Sequence, residues 1–192
     1  MSQEQPTGNV LPTEIYGLFA GSIDQAAVQR FHNALALASQ NGVQSIHLLF
    51  QSNGGLIGEG ISLYNLFCAS PIEISLYNVG SVCSVGVIAY LGAQKRKVSA
   101  HGAFMIHRAY LNPVAATADR MAAGADQLAM EDARIEAIIK SRTKLPANKW
   151  EQHKYADVWL SASDAVNWGL AEIGEFSPPA NTKLYNIWPP QN

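Results

Sequence analysis

Apolar positions along the chain alternate between a period of two and a period near 3.6, and the switches between them outline its elements. Glu14–Ala20 reads as a first strand, closed by Gly21. Between Gln25 and Gln40 the residues Ala27, Val28, Phe31, Ala34, Leu35 and Ala38 fall on one helical face. Asn41-Gly42 then supplies the residue types favoured just past a helix end. Ile46–Phe50 is a short apolar strand, Leu56–Cys68 a helix, and Ile72–Val79 a strand rich in β-branched and aromatic residues. Val85–Ala93 is apolar on nearly every side, which predicts a buried helix. Lys97–Ala100 and Ala103–Ile106 read as two further strands. This alternation predicts an α/β fold with a largely parallel sheet and helices packed outside it.

Beyond His107 the pattern changes. Thr117–Arg142 is one long helical stretch, with charged residues among Met and Ile. It exceeds the usual globular helix length and is expected to project from the body and pack against another subunit. Pro146 stops it, Ala147–Tyr155 forms a second short helix, and Ser161 with Asp164 caps a helix that runs to Trp168 and closes at Gly169. Residues 1–13 read as a loose polar tail, and the segment from Ser177, with four of the nine prolines, as an extended one.

Composition narrows the classes. At 192 residues the chain fits one domain. Hydrophobic residues make up 48% and charged residues 15%, so much of the surface is expected to be covered, either by internal helices or by sister subunits. With a net charge of -2, and Lys95-Arg96-Lys97 the densest basic run, the electrostatic footprint of a nucleic-acid binder is missing. Cys68 and Cys83 sit in apolar sequence and read as buried and reduced, with a disulfide between them as the weaker alternative. No segment has the length of a membrane span and the first residues do not read as a secretory signal, so the expected location is cytoplasmic. His101 and His107 have no carboxylate or cysteine at a ligand spacing, and neither a metal nor a cofactor is expected.

Three short segments carry chemistry. Ser52-Asn53-Gly54-Gly55 is a polar glycine turn able to present backbone amides. Gly80-Ser81-Val82-Cys83-Ser84-Val85-Gly86 places a serine at a helix start, and Met105-Ile106-His107 ends an apolar strand in a histidine. Together they hold an oxyanion site, a nucleophile and a base, the parts of an acyl-transfer centre. Asp157, just before Trp159-Leu160-Ser161-Ala162, is available to orient the histidine. The order Ser, His, Asp differs from the familiar serine-hydrolase orders, but a triad is defined by geometry and role. A dinucleotide fingerprint, a P-loop and an α/β-hydrolase nucleophile elbow are each missing an essential residue.

In this order and at these separations the segments resemble the proteolytic subunit of the Clp protease, in the crotonase-like superfamily, from about Glu14 to Phe176. The resemblance implies a Clp-protease-like domain over 14–176, built from repeated β-β-α units. A protruding handle, about 109–145, would lie between flexible 1–13 and extended 177–192. It implies a serine endopeptidase acting on unfolded proteins or short peptides, with Ser84 as nucleophile, His107 as base, Asp157 as its orienter and the amides of Gly55 and Val85 as oxyanion hole. It further implies a homo-oligomer, a heptameric ring or two stacked rings, with ATP entering only through a partner AAA+ unfoldase. With Ala156 where the family has a ring-pairing arginine, stacking is expected to rest on apolar contacts such as Met121, Leu128, Ile135 and Ile138.

The chain departs from the family at several points. Asn53 replaces a proline, and Ala156 replaces an arginine that pairs across rings. Ala109-Tyr110-Leu111-Asn112-Pro113 replaces a glycine-rich substrate strand. Residues 1–13 do not match the segment that contacts the unfoldase, and the tail with Tyr185, Ile187 and Trp188 has no counterpart, so those apolar residues are expected to cover a subunit surface. Two other readings stay open: an acyl-CoA hydratase or isomerase, which would hold a thioester with the same kind of amide pair, and an inactive ring-forming scaffold.

Overall fold

A computed structural model describes residues 12–111 and 117–187. Strands β1 (Glu14–Ala20), β2 (Ser45–Gln51) and β3 (Glu73–Asn78) alternate with helices α1 (Gln25–Gln40) and α2 (Ile57–Ala69). Short strand β4 (Ser81–Cys83), helix α3 (Val85–Leu91) and strands β5 (Lys95–Val98) and β6 (Ala103–Ile106) follow. The long helix α4 (Ala118–Arg142) leads to α5 (Ala147–His153), β7 (Val158–Ser161), α6 (Ala162–Asn167), β8 (Glu172–Ile173) and β9 (Leu184–Asn186).

The strands form two sheets. The larger has the order β8-β5-β3-β2-β1-β9 and every pair in it is parallel. In β2 the pleat points Ile46, Leu48 and Phe50 into the core, where Phe31 of α1 and Phe67 of α2 close over them. The smaller sheet, β4-β6-β7, pairs β4 with β6 in parallel and β6 with β7 antiparallel. A single bridge, Ser52 to Val82, ties the end of β2 to β4 and so joins the two sheets. All seven residues of α3 are buried, as its unbroken apolar sequence requires.

Several expectations shift. The strand read at Lys97–Ala100 begins two residues earlier, because Lys95 and Arg96 pair with Ser75 and Leu76 in the ladder, and it ends at Val98. The Pro-rich tail contributes β9, which adds to the free edge of β1. Tyr185 and Ile187 therefore line an apolar cavity under α1 in their own chain, and Trp188 lies outside the described residues. Cys68 is exposed rather than buried: it is on the outer side of α2, where the Arg142 guanidinium donates to its Sγ at 2.9 Å. His47 is half-buried on the sheet face away from α1 and α2. There it stacks on Tyr16 at 4.8 Å, meets the Tyr77 hydroxyl at 2.9 Å and pairs with Glu14 at 2.6 Å. On α4, Ile135 is buried and Ile138 packs on the core, whereas Met121 and Met130 are exposed. Of the four residues expected to stack, Ile135 is thus covered within its own chain, Leu128 and Ile138 are half-buried and Met121 is exposed. Asn112 and Pro113 lie outside the described residues.

Candidate active site

Ser84 sits at the corner between β4 and α3 as the N-cap of the helix, with φ 56° and ψ -134°. A non-glycine residue with positive φ costs about 1–3 kcal/mol and persists only where its surroundings hold it. Here the Ser84 amide donates to the Met105 carbonyl at 2.7 Å and so fastens the corner to β6. Buried Val85, the first residue of α3, packs onto Gly60 of α2. Its N–H is among the first-turn amides that lack an intrahelical acceptor, and the positive end of the helix lies there.

The opposing turn is fixed by sterics as much as by hydrogen bonds. The Gly54 amide donates to Ser52 Oγ at 3.1 Å, and Ser52 itself is buried. Gly54 has φ 97°, and a Cβ there would lie 2.5 Å from that of Ser84, so only glycine lets the turn meet the serine. A side chain on Gly55, φ 156°, would collide with the Ile23 carbonyl. The bridge between Ile23 and Gly55 uses the Gly54 carbonyl and the Leu56 amide, at 2.9 Å each. That pattern leaves the Gly55 amide pointing away from Ile23. Ser84, Val85, Gly55 and His107 all line one cleft of about 510 Å³. Ile88, Ile135 and Ile139 give it an apolar lining, and Arg108 and Glu131 add charge.

His107 follows the last residue of β6 and is half-buried, its ring 5.6 Å from that of Tyr110. Its Nδ1 lies 2.6 Å from the Arg108 carbonyl oxygen. A carbonyl only accepts, so Nδ1 carries the proton and Nε2 is left as the basic nitrogen. Among the described residues no hydrogen bond joins His107 to Ser84. Such bonds are often long before substrate binds.

The antiparallel ladder ends at Ile106 opposite Val158, which puts Asp157 one register step further, opposite His107. Asp157 is exposed, and it accepts from Gln152 at its backbone carbonyl, 3.1 Å. Among the described residues its carboxylate makes no hydrogen bond or ion pair, so the structure sets it near the histidine in register without joining the two.

Two residues not anticipated from the sequence shape this wall. Asp132 of α4 is 6% exposed and binds the segment just after His107. It falls in phase with Ile135 and Ile139 on the buried stripe of α4, and a charge on an apolar stripe is the sequence signal for a buried partner. His153, 2% exposed, ends α5 beneath the His107 backbone. Neither of its ring nitrogens makes a well-aligned hydrogen bond, although the nearby His107 backbone offsets part of the burial. Burial lowers its pKa and favours the neutral ring. Cys83, beside Ser84, is pushed upward by burial and stays a thiol. Among the described residues no group of three or more His, Cys, Asp or Glu could hold a metal ion, and no helix is long and apolar enough to cross a membrane.

The chain matches the family model described as Clp protease over residues 8–173. It is 27% identical to the ATP-dependent Clp protease proteolytic subunit 1 of Mycobacterium leprae over 159 residues, 81% of this chain and 79% of that protein. The ATP-dependent Clp protease proteolytic subunit 2 of Corynebacterium glutamicum is similar to the same extent, 27% over 159 residues. Among solved structures, a mutant ClpP1 from Listeria monocytogenes superposes with a TM-score of 0.71 at 23% identity, covering 84% of this chain and 91% of that one. The shared architecture is the crotonase-like α/β fold. With a serine at a helix start, a histidine across one cleft and a family match over most of its length, the chain belongs to the Clp protease family and is a serine endopeptidase.

Proposed function

We propose that Ser84 is the nucleophile and His107 the general base of this peptidase, with the Gly55 and Val85 amides as its oxyanion hole. One observation carries the reading: a strained serine at the positive end of a buried helix shares a cleft with a glycine-turn amide and with the histidine. Ser84 Oγ attacks the scissile carbonyl while His107 Nε2 takes its proton. The oxyanion that forms accepts from the two amides. As the C–N bond breaks, His107 returns the proton to the leaving amine. Water then attacks the acyl-enzyme by the same route and restores Ser84. Asp157, opposite His107 in register, is the carboxylate offered to the imidazolium that forms in each step. Ser84→Ala is expected to lower peptide hydrolysis on the order of 10⁶-fold and to abolish fluorophosphonate labelling with an unchanged melting curve. Unaltered hydrolysis in that variant would remove Ser84 from the mechanism.

The enzyme works as a homo-oligomer, a heptameric ring with a second ring stacked through the α4 helices, and it takes extended peptides or unfolded protein. Support comes from α4 itself: along its 25 residues only Asp132, Ile135 and Ile139 are buried, and Met121 and Met130 are presented outward. Apolar stacking survives salt, whereas exposed ion pairs are screened within about 10 Å at 0.1 M. Light scattering at low and high salt tests this; a monomer under both conditions sinks the ring. An AAA+ unfoldase supplying unfolded chains at the cost of ATP completes the reading, checked by whether a stably folded protein is degraded only when the ATPase is present. The free thiols Cys68 and Cys83 suit a reducing compartment such as the cytoplasm.

A further inference from the structure

The chain beyond His107 is held by a single buried carboxylate. Asp132 Oδ2 accepts from Arg108 Nε at 2.7 Å and forms an ion pair with Nη2 at 2.5 Å, and Oδ1 accepts from the Ala109 amide at 2.8 Å. Both oxygens are therefore spent on residues 108 and 109. A buried carboxylate is costly unless it is paired and hydrogen-bonded, and these partners satisfy it.

The Arg108 carbonyl and the Ala109 N–H belong to one planar peptide group and point in opposite directions. Asp132 accepts at the N–H end, and His107 Nδ1 donates to the carbonyl end at 2.6 Å. We infer that Asp132 is a positioning residue for the general base, acting through the Arg108–Ala109 peptide as a relay. The carboxylate fixes the plane of that peptide and polarises it, which makes the Arg108 oxygen a stronger acceptor. A stronger acceptor at Nδ1 holds the proton there and keeps Nε2 free for Ser84. No proton crosses the relay; it sets ring orientation and tautomer before substrate arrives. The inference rests on His107 being the base, and it assigns the tautomer of the free enzyme to Asp132 rather than to the exposed carboxylate of Asp157.

The test reads the tautomer directly, by ¹⁵N ring spectra of the histidine-labelled full-length protein near neutral pH. The chain has five histidines, so His107 is assigned by subtraction with His107→Gln. The expected result is an Nδ1–H tautomer in the wild type and in Asp157→Asn, and a mixed or Nε2–H population in Asp132→Asn. In parallel, kcat toward a fluorogenic peptide is expected to fall about 10- to 100-fold in Asp132→Asn with little change in KM, by analogy with the loss on removing a residue that orients a metal-bound histidine. Arg108→Gln removes the ion pair but keeps the bond to the Ala109 amide, so its loss should be smaller. A wild-type tautomer and kcat in Asp132→Asn, or loss of the Nδ1–H tautomer in Asp157→Asn, overturns the relay. If Asp132→Asn does not fold, the comparison of wild type with Asp157→Asn decides alone. A wild type that cleaves no peptide would instead refute the peptidase assignment of Ser84 and His107, while the spectra still report on the relay.

Discussion

The two walls of the cleft are built by different means. On the nucleophile wall, Ser84, Val85 and the Ser52–Gly55 turn are set by backbone hydrogen bonds and by glycines that no other residue can replace without collision. On the histidine wall, β6 ends at Ile106 and the segment just after it is held by the Asp132 side chain, with His153 packed beneath. A backbone-built wall is stiff, because moving one amide breaks a ladder. A side-chain-built wall can be retuned by one substitution without losing the fold. In the proposed mechanism the Gly55 and Val85 amides therefore have a fixed geometry, whereas the orientation of the His107 ring is adjustable.

The sharpest challenge to this contrast is Gly54→Ala. The added methyl, 2.5 Å from Ser84 Cβ in a residue with φ 97°, must push the turn off the serine. Steady-state kinetics should show kcat reduced about 10²- to 10³-fold, comparable to losing an oxyanion donor. Asn53→Ala in the same turn is exposed and should stay within a few-fold; equal losses in both would mean that the turn is not sterically fixed. A smaller effect is expected from Asp157→Asn, with kcat lowered about 10-fold in peptide assays. A loss near 10⁴-fold would show Asp157 to be the dominant orienter after all.

The mildest effect concerns His153 and pH. Its pKa is lowered by burial, so below about pH 6.5 the unfolded chain binds a proton that the folded chain resists. Stability from this site is complete above that value and is lost as pH falls toward the lowered one, with a slope of at most about 1.4 kcal/mol per pH unit. Thermal melts at pH 7.5 and 5.5 should show a larger acid-induced drop for the wild type than for His153→Phe. Equal drops would show that His153 ionises freely in the folded protein and that the wall does not confine it.

The same contrast explains what the sequence disclosed. The nucleophile wall is local: a glycine turn, a serine before an apolar run, and a helix apolar on all sides are each readable in a few residues, and α3 is buried along its whole length as its sequence requires. The histidine wall depends on contacts between distant segments. Asp132 looks like one more charge in Glu131-Asp132-Ala133-Arg134 until the α4 stripe is known to face the cleft. Ile135 was expected to face another ring, yet it is buried in its own chain, because helical phase alone does not say which side the body lies on. Cys68 was expected inside because its neighbours are apolar, yet Arg142, 74 residues away, meets it at the surface. β9 is three residues long in a Pro-rich tail and exists only because β1 offers an open edge.

The long helix α4 carries one more consequence. Its buried residues, Asp132, Ile135 and Ile139, all belong to its C-terminal half, while the turns from Ala118 to Met130 have no buried residue. A short solvated helix is marginal by itself. Amides there should exchange with solvent deuterium rapidly in dilute protein and slowly once subunits meet, while those near Ile139 stay protected throughout. The helix thus contains its own concentration gauge, and exchange rates along a single element would separate assembly from folding without reference to catalysis.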